Sequence, residues 1–482
     1  MRDIGLVCFL LALLALAVKR PFLFALAYIY VDTVSPQRLS YYLLNSISVS
    51  MYVAALAIGA WLVFDRKDVR PAPRQGLILL LLAYVTWTTL HADLPVEAWT
   101  KFEWVWKALV FAIFLPFTLR TRLRVEAALL FLTLSAAAIV IVGGIKTVLS
   151  GGGYGVLNLM VDNNSGLYES STISTIAIAL IPLILWFTKF GTIFPPDYEP
   201  ARTAPGSPPS EENPDPPQFV SSQPTPGGRW RRFMVKIFCF ALVFASLLIP
   251  IGTEARTGLV CIGVLGVLML RDVKRRFLYM GAAALLGLAA IPFLPASFTS
   301  RMETIQGFQG DQSANTRLQV WAWTWSYVQD HPMGGGFEAY RQNRIMVSTV
   351  DARTAGEVQI VSTITQADEG RAYHSAYFEM LGEQGFPGLI LFLLIHGIGI
   401  VRMELIRRRY RRVEGEDAWV APLATALQHF QLIYLVGALF VGIAYTPFVY
   451  LMLAAQIGFD NWLSGRERKR RNEVRRQAFA AG

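Results

Sequence analysis

The histidine at position 374 is a candidate proton acceptor. It opens the stretch "HSAYFEMLGEQGFPG" (residues 374–388), in which a long polar loop gives way to a run of apolar residues. Imidazole has a pKa of about 6.5, so His374 can take up a proton at neutral pH. A structural histidine remains the alternative. His396 and His429 lie in or beside apolar helices and are expected to hydrogen-bond to neighbouring helices, whereas His91 lies in a short turn and His331 precedes a proline at a helix end.

Two arginines are the further candidates for a functional role. Arg256 lies in "LLIPIGTEARTGLVCIGV", between two apolar segments. An arginine at membrane depth is costly unless it is paired or faces a cavity. The alternatives for Arg256 are a salt bridge to Glu254 or extension of its side chain to lipid head groups. Arg317 begins a tryptophan-rich amphipathic segment and shares a helix face with Trp321. For Arg317 the alternative is an ordinary solvated charge.

Two carboxylates follow the histidine within the same stretch. On a continuous helix, Glu379 and Glu383 would lie about 140° and 180° around from His374. This spacing predicts that they face neighbouring polar groups, in orienting or packing roles, and do not act on the same atom as the histidine. The sequence contains no HExxH, no CxxC and no carboxylate cluster, so it predicts no metal site and no cofactor.

The elements that would position these residues are membrane helices. Of the 482 residues, 54% are hydrophobic and 16% are charged, whereas a soluble protein carries roughly a quarter charged residues. Apolar runs long enough to cross a bilayer recur along the chain. The first run, "IGLVCFLLALLALAV", is expected to be a retained helix and not a cleaved signal. The three cysteines lie in apolar runs and are expected to be buried thiols: Cys8, Cys239 and Cys261.

The distribution of charge predicts the topology. The net charge of +10 is concentrated in alternate loops and at the C-terminus, the pattern of cytoplasmic loops in membrane proteins and not of nucleic-acid binding. The basic positions are Arg66, Lys67, Arg70 and Arg74, Arg120, Arg122 and Arg124, Arg229, Arg231 and Arg232, Arg271, Lys274, Arg275 and Arg276, Arg402, the run 407–412 and the tail 465–476.

We therefore predict an all-α polytopic membrane protein of about 12 or 13 transmembrane helices, with a cytoplasmic C-terminus. The predicted units are N-terminal helices (1–190), a disordered Pro-rich cytoplasmic loop (191–232), helices with the arginine motif (233–294), a periplasmic loop with helices and catalytic motifs (295–385), C-terminal helices (386–462) and a basic tail (463–482). The Pro-rich loop is either a tolerated insertion or a partner ligand. A transporter is also compatible with this helix number, although no internal repeat is evident.

Three motifs resemble those of the O-antigen ligase and polymerase superfamily of bacterial membrane glycosyltransferases. The superfamily signature is His followed by Ser, Asn or Gln, nine residues, and Gly-x-x-Gly. Here it is His374-Ser375, nine residues, and Gly385-Phe-Pro-Gly388. "GTEARTGLV" resembles the family's arginine motif, with Ala255 where Ser is usual, and "RLQVWAWTWSYVQDHPMGGGFEAY" resembles its Arg-x-x-x-Trp helix and Gly-x-Gly-Phe turn. The resemblance covers about residues 233–400.

The resemblance implies a metal-independent, inverting glycosyl transfer at the periplasmic face of the inner membrane. The donor would be a glycan on undecaprenyl diphosphate, and the expected acceptor is the lipopolysaccharide core on lipid A. Arg256 and Arg317 would bind the diphosphate, His374 would be the general base, and the supporting residues would be Ser375, Trp321, Glu379 and Glu383.

Alternatives to the core acceptor remain within the same chemistry. A polymerase would use a second carrier-linked glycan as acceptor. "MRDIGLV" and "VDNNSG" resemble an exosortase-associated O-glycosylation ligase subgroup, whose acceptor would be a protein. A transporter of polyprenyl-linked glycans is the alternative from another class.

The diphosphate role of Arg256 predicts that Arg256→Lys is severely impaired in glycan transfer. A lysine keeps the charge but replaces a planar, bidentate donor by a point charge. A transfer assay with a carrier-linked glycan measures this, and full activity of the variant would contradict the role.

Overall fold

The computed structural model describes residues 2–153, 166–192, 228–271, 312–355 and 358–480, and the single positions 275, 278, 281 and 285. Most of the Pro-rich loop, nearly all of the helix expected over 277–294 and most of "VDNNSG" lie outside these residues, so those predictions are not tested. The three cysteines lie within them and are free. Cys239 and Cys261 are buried as expected, whereas Cys8 is exposed on the outer surface of its helix.

The described chain is built of helices. The elements of the first half are α1 Arg2–Lys19, α2 Phe22–Val34, α3 Pro36–Leu39, α4 Val49–Phe64, α5 Pro73–Leu90, α6 Pro95–Thr118, α7 Arg122–Ser150 and α8 Ser170–Phe190. Those of the second half are α9 Gly228–Gly252, α10 Arg256–Met269, α11 Gln312–Asp330, β1 Arg344–Ala355, β2 Val358–Glu369, α12 Ala376–Tyr410, α13 Val420–Gly437 and α14 Pro447–Ala480. Short 3₁₀ turns occupy Gly166–Tyr168, Ala339–Gln342 and Gly415–Asp417.

Several of these helices could span a membrane. Among the described residues, five are long and apolar enough: α7, α8, α9, α12 and the segment Gly415–Gly437 that ends with α13. Shorter apolar helices are α2, α4 and α10. The all-α polytopic class is thus confirmed, while the count of 12 or 13 spans stays a prediction.

The starts of three helices meet at one end of the bundle. In α8, Ser174 Oγ lies 3.0 Å from Thr253 Oγ1, in the turn between α9 and α10. Gly437, the last residue of α13, lies directly against Thr175 of α8. Ala438, which directly follows α13, accepts a hydrogen bond from the first amide of α12: Ala376 N lies 2.8 Å from Ala438 O. The starts of α8, α10 and α12 therefore share one end, which we call the site end.

Charged pairs join the helices at the opposite end. Asp65, after α4, accepts hydrogen bonds from Arg120 and Arg124, which flank the start of α7. Arg271, after α10, pairs with Glu404 of α12 at 3.0 Å. Many of the basic positions identified in the sequence are therefore tied to carboxylates far from the site end.

A buried polar network lies between these two ends. Arg74, expected in a basic loop, instead belongs to α5, is buried and donates to Gln456 Oε1 at 2.6 Å. Gln456 donates to Gln431 at 3.0 Å, and Gln431 Nε2 lies 3.0 Å from His396 Nδ1. The predicted hydrogen bonding of His396 to a neighbouring helix is confirmed, and the network links α5, α12, α13 and α14 where apolar packing alone gives little specificity.

The polar loop contains a hairpin that the sequence analysis did not predict. Strands β1 and β2 pair antiparallel from Arg344 opposite Glu369 to Ala355 opposite Val358. Both strands are rich in Val, Ile and Thr, which favour extended backbone. The expectation of helices in this loop holds for α11 but was incomplete.

Helix α12 begins ten residues earlier than the predicted span at 386. Gly385 and Pro387 suggest a helix end, but the helix only breaks at Gly385, with φ 62° and ψ −165°, and then continues to Tyr410. At this break the α12 backbone hydrogen-bonds to the segment 332–336. Phe386 N donates to Pro332 O at 3.0 Å, and Gly336 N donates to Glu383 O at 2.9 Å. We call these paired segments, 332–336 and 382–386, the glycine junction.

The glycine junction predicts a large effect of Gly385→Ala. Backbone with this φ and ψ is essentially restricted to glycine and costs another residue about 1–3 kcal/mol. A Cβ at this position would also lie 2.2 Å from Pro332 O. We expect a lower apparent Tm and a lower folded yield, measured by thermal unfolding of the purified protein. In Gly397→Ala, on the same helix with nothing within 4 Å of the added Cβ, both should be unchanged. Equal behaviour of the two variants would contradict this account.

Candidate active site at the site end

His374 is held in a strained backbone conformation immediately before α12. Its φ is +48°, and the next residue, Ser375, is extended and forms the N-cap of the helix. The left-handed region is unfavourable for a residue with a side chain. The surrounding structure must therefore impose it, as is common at functional sites.

The same strain marks the other two motifs. Among the described residues, four non-glycine positions have positive φ: Ser35, Glu254, Glu338 and His374. Glu254 lies two residues before Arg256, and Glu338 follows the Gly-Gly-Gly-Phe turn. The three predicted motifs are therefore places where the fold forces an uncommon backbone geometry, which packing must offset.

The backbone around His374 is fixed from both sides. Trp321 of α11 donates its indole N–H to Tyr373 O at 2.8 Å, and its ring stacks on Phe378 at 4.9 Å with an interplanar angle of 5°. After His374, Ala376 N is bonded to the end of α13. The structure thus gives Trp321 a positioning contact to the residue adjoining the histidine.

The protein environment favours the neutral form of His374. Its side chain is exposed, yet enough protein surrounds the ring to desolvate it, and this lowers its pKa below 6.5. The positive charge of Arg317 lowers the pKa further, with Arg371 adding to the effect and Glu169 opposing it. The structure therefore brings Arg317 close enough to His374 for electrostatic interaction. A neutral imidazole can accept a proton.

Arg256 is the first residue of α10 and half-buried. The starts of α10 and α12 have no side-chain cap hydrogen bond, whereas α8 is capped by Glu169, which accepts from Thr172 N at 2.6 Å. Helix N-termini carry partial positive charge and attract anions. The site end thus combines Arg256, Arg317 and two helix starts that suit a negatively charged group.

Ser375 is buried and starts α12 through its backbone. It is 1% exposed, and its carbonyl oxygen accepts the hydrogen bond from Glu379 N at 2.8 Å that starts the helix. Because His374 precedes the helix and has left-handed backbone, the angular positions predicted for Glu379 and Glu383 relative to it do not apply.

Sequence reasoning missed Lys101 and the carboxylates that it gathers. Lys101 of α6 lies 2.8 Å from both Glu379 Oε1 and Glu383 Oε1 and 3.9 Å from Glu338 Oε1. The sequence appeared to lack a carboxylate cluster because Glu338 is remote from the other two along the chain. The available signal was a lysine near the start of an otherwise largely apolar helix. We call Lys101, Glu338, Glu379 and Glu383 the Lys101 cluster.

Comparison with known families divides the chain in two. Residues 1–192 match a family of unknown function, DUF5935, and residues 241–393 match the O-antigen ligase family. No curated protein matches the chain significantly. The second match contains Arg256, Arg317, the glycine junction and His374. The predicted resemblance to the O-antigen ligase superfamily is thus confirmed by an O-antigen ligase domain at residues 241–393.

Proposed function

We propose that this protein transfers a glycan from undecaprenyl diphosphate to a hydroxyl group of the lipopolysaccharide core on lipid A, at the periplasmic face of the inner membrane. The observation that carries the proposal is the arrangement at the site end: a neutral, conformationally constrained His374 under the electrostatic influence of Arg317, within an O-antigen ligase domain.

The diphosphate of the donor suits the cationic part of this site. Arg256 and Arg317 remain protonated and can each present two N–H groups to phosphate oxygens. The starts of α10 and α12 add partial positive charge. In transfer, the bond between the anomeric carbon and the phosphate oxygen breaks, and these fixed charges stabilise the negative charge that develops on the departing carrier diphosphate.

His374 would complete the reaction as general base. The acceptor hydroxyl attacks the anomeric carbon opposite the phosphate, and the imidazole takes the hydroxyl proton as the new C–O bond forms. This single displacement inverts the sugar configuration. No step in this scheme calls for a metal ion or cofactor.

The positions of charge support a periplasmic site. The basic residues that pair with Asp65, Glu404 and Asp460 lie at the end opposite the site end. Basic loops face the cytoplasm, so this orientation directs His374 to the periplasm and leaves the C-terminus cytoplasmic.

Two other acceptors and one other class remain as alternatives. A polymerase would offer a second carrier-linked glycan to His374, and a protein O-glycosylation ligase would offer a protein hydroxyl. In a transporter, the three candidate residues would line a path through the membrane midplane. Their association with helix starts at one end of the bundle favours transfer.

The deciding experiment uses purified protein and a synthetic undecaprenyl-diphosphate glycan. Lipopolysaccharide core and a second carrier-linked glycan are offered separately to the wild type and to His374→Ala. We expect transfer to the core by the wild type and at least a hundredfold loss in the variant, consistent with the scale of general base catalysis, ~10²–10⁴. Growth on the carrier would instead identify a polymerase. No transfer to either, combined with flipping of the donor, would identify a transporter.

The low pKa of His374 predicts the pH dependence of transfer. A general base must be neutral, and its folded-state pKa lies below 6.5. Since kcat/KM follows the ionisation of the free enzyme, kcat/KM should be constant above pH 7 and fall as the pH drops through this pKa. Removing the charge of Arg371 removes one cause of the lowering, so in Arg371→Gln the acid limb should move to higher pH.

The matched control for this shift is Arg344→Gln. Arg344 is an exposed arginine paired with Glu369 and does not contribute to the lowered pKa of His374, so its substitution should leave the limb in place. A wild-type acid limb above pH 6.5, or an equal shift in both variants, would contradict the assignment of His374 as the base.

A further inference from the structure

The Lys101 cluster is a buried ionic network shared between the two family-matched regions. Lys101 belongs to the N-terminal region, and the three carboxylates belong to the O-antigen ligase domain. The side chain of Lys101 is 11% exposed, and that of Glu383 is 0% exposed. Lys101 Nζ also lies 5.1 Å from the ring centre of Tyr445. One ammonium group thus faces three carboxylates away from water.

The geometry of the carboxylates is specific as well as buried. Glu383 Oε1 accepts the backbone N–H of Glu338 at 3.0 Å, and Glu379 Oε2 accepts that of Ala444 at 3.0 Å. Burying charged groups is expensive, and apolar residues of similar size would often stabilise a fold equally well. The network therefore contributes more to fixing the relative positions of these segments than to the stability of the fold.

The cluster acts on the two segments that define the position of His374. Glu379 and Glu383 occupy the first two turns of α12, directly after the histidine, and Glu338 follows the glycine junction. Tyr373, the residue before His374, packs its hydroxyl against Gly382, between the two glutamates. A displacement of the carboxylates would shift both the start of α12 and the loop that faces it.

We propose that Lys101 is a positioning residue for the transfer reaction, through which the N-terminal region holds the start of α12, and with it His374, in its reactive position. This inference rests on the proposed function. In this proposal the N-terminal region supplies Lys101 as the cation that pairs with the carboxylates of the ligase domain.

The test compares Lys101→Met, Lys101→Arg and the double variant Lys101→Met with Glu383→Gln, each purified in detergent. We expect Lys101→Met to lower kcat at least tenfold, with the KM for the carrier-linked glycan within about twofold, because the diphosphate-binding arginines stay in place. Lys101→Arg should recover part of the kcat. The apparent Tm is measured for every variant.

The double variant separates positioning from stability. It removes the lysine together with its most buried carboxylate, so the apparent Tm should return towards the wild-type value. A kcat that stays at least tenfold low in this variant supports positioning. A kcat that recovers with the Tm would overturn it and show a stabilising role only.

The matched control is Lys107→Met on the same helix. Lys107 pairs with the exposed Glu103 at 3.5 Å and not with a carboxylate of the Lys101 cluster, so kcat and KM should not change. Wild-type kcat in Lys101→Met would refute the positioning role while leaving the transfer reaction intact. Absence of transfer by the wild type would instead refute the proposed function itself.

Discussion

The backbone pairing at the glycine junction is the constraint on which the rest of the site depends. Two segments that are 50 residues apart in sequence, 332–336 and 382–386, exchange hydrogen bonds directly between main chains. So close an approach leaves no room for side chains, since a Cβ on Gly334 would lie 2.5 Å from Glu383 O. Gly385 of the signature and the glycines of the Gly-Gly-Gly-Phe turn thus belong to one contact. Their glycines set the distance between the polar loop and α12, and His374 and Glu338 take their positions from it.

Strain and buried charge at this end of the molecule have a common physical consequence. Left-handed backbone at His374, Glu254 and Glu338 and an ionic cluster away from water each raise the free energy of the fold. The extensive apolar core among the helices, which includes fully buried residues such as Tyr28, Phe111 and Tyr434, offsets these contributions. The rigid bundle can therefore hold groups in geometries that they would not adopt alone, as preorganised electrostatic catalysis requires.

The sequence predicted the class of fold and the main candidate residues because both depend on local patterns. Apolar runs indicate membrane helices, and the histidine signature occupies a single continuous stretch. The features that the sequence did not predict depend on long-range contacts, which can also override a local pattern. Gly385 and Pro387 are typical of a helix end, but pairing with the polar loop makes them an interruption within α12. The Lys101 cluster joins residues 101, 338, 379 and 383, and no spacing rule relates such positions.

The Lys101 cluster also bears on why the two family-matched regions occur in one chain. The ligase domain places two glutamates in the first turns of α12 and a third beside the glycine junction, an arrangement that leaves buried negative charge unless a cation is supplied. Lys101 supplies it from α6, and α5 adds a hydrogen bond from Thr88 to Gln384 one residue before the break in α12. The N-terminal region therefore reaches the same few residues through charge and through hydrogen bonding. Both contacts converge on the segment that follows His374, so a change in α5 or α6 can displace the start of α12 without any contact to His374 itself.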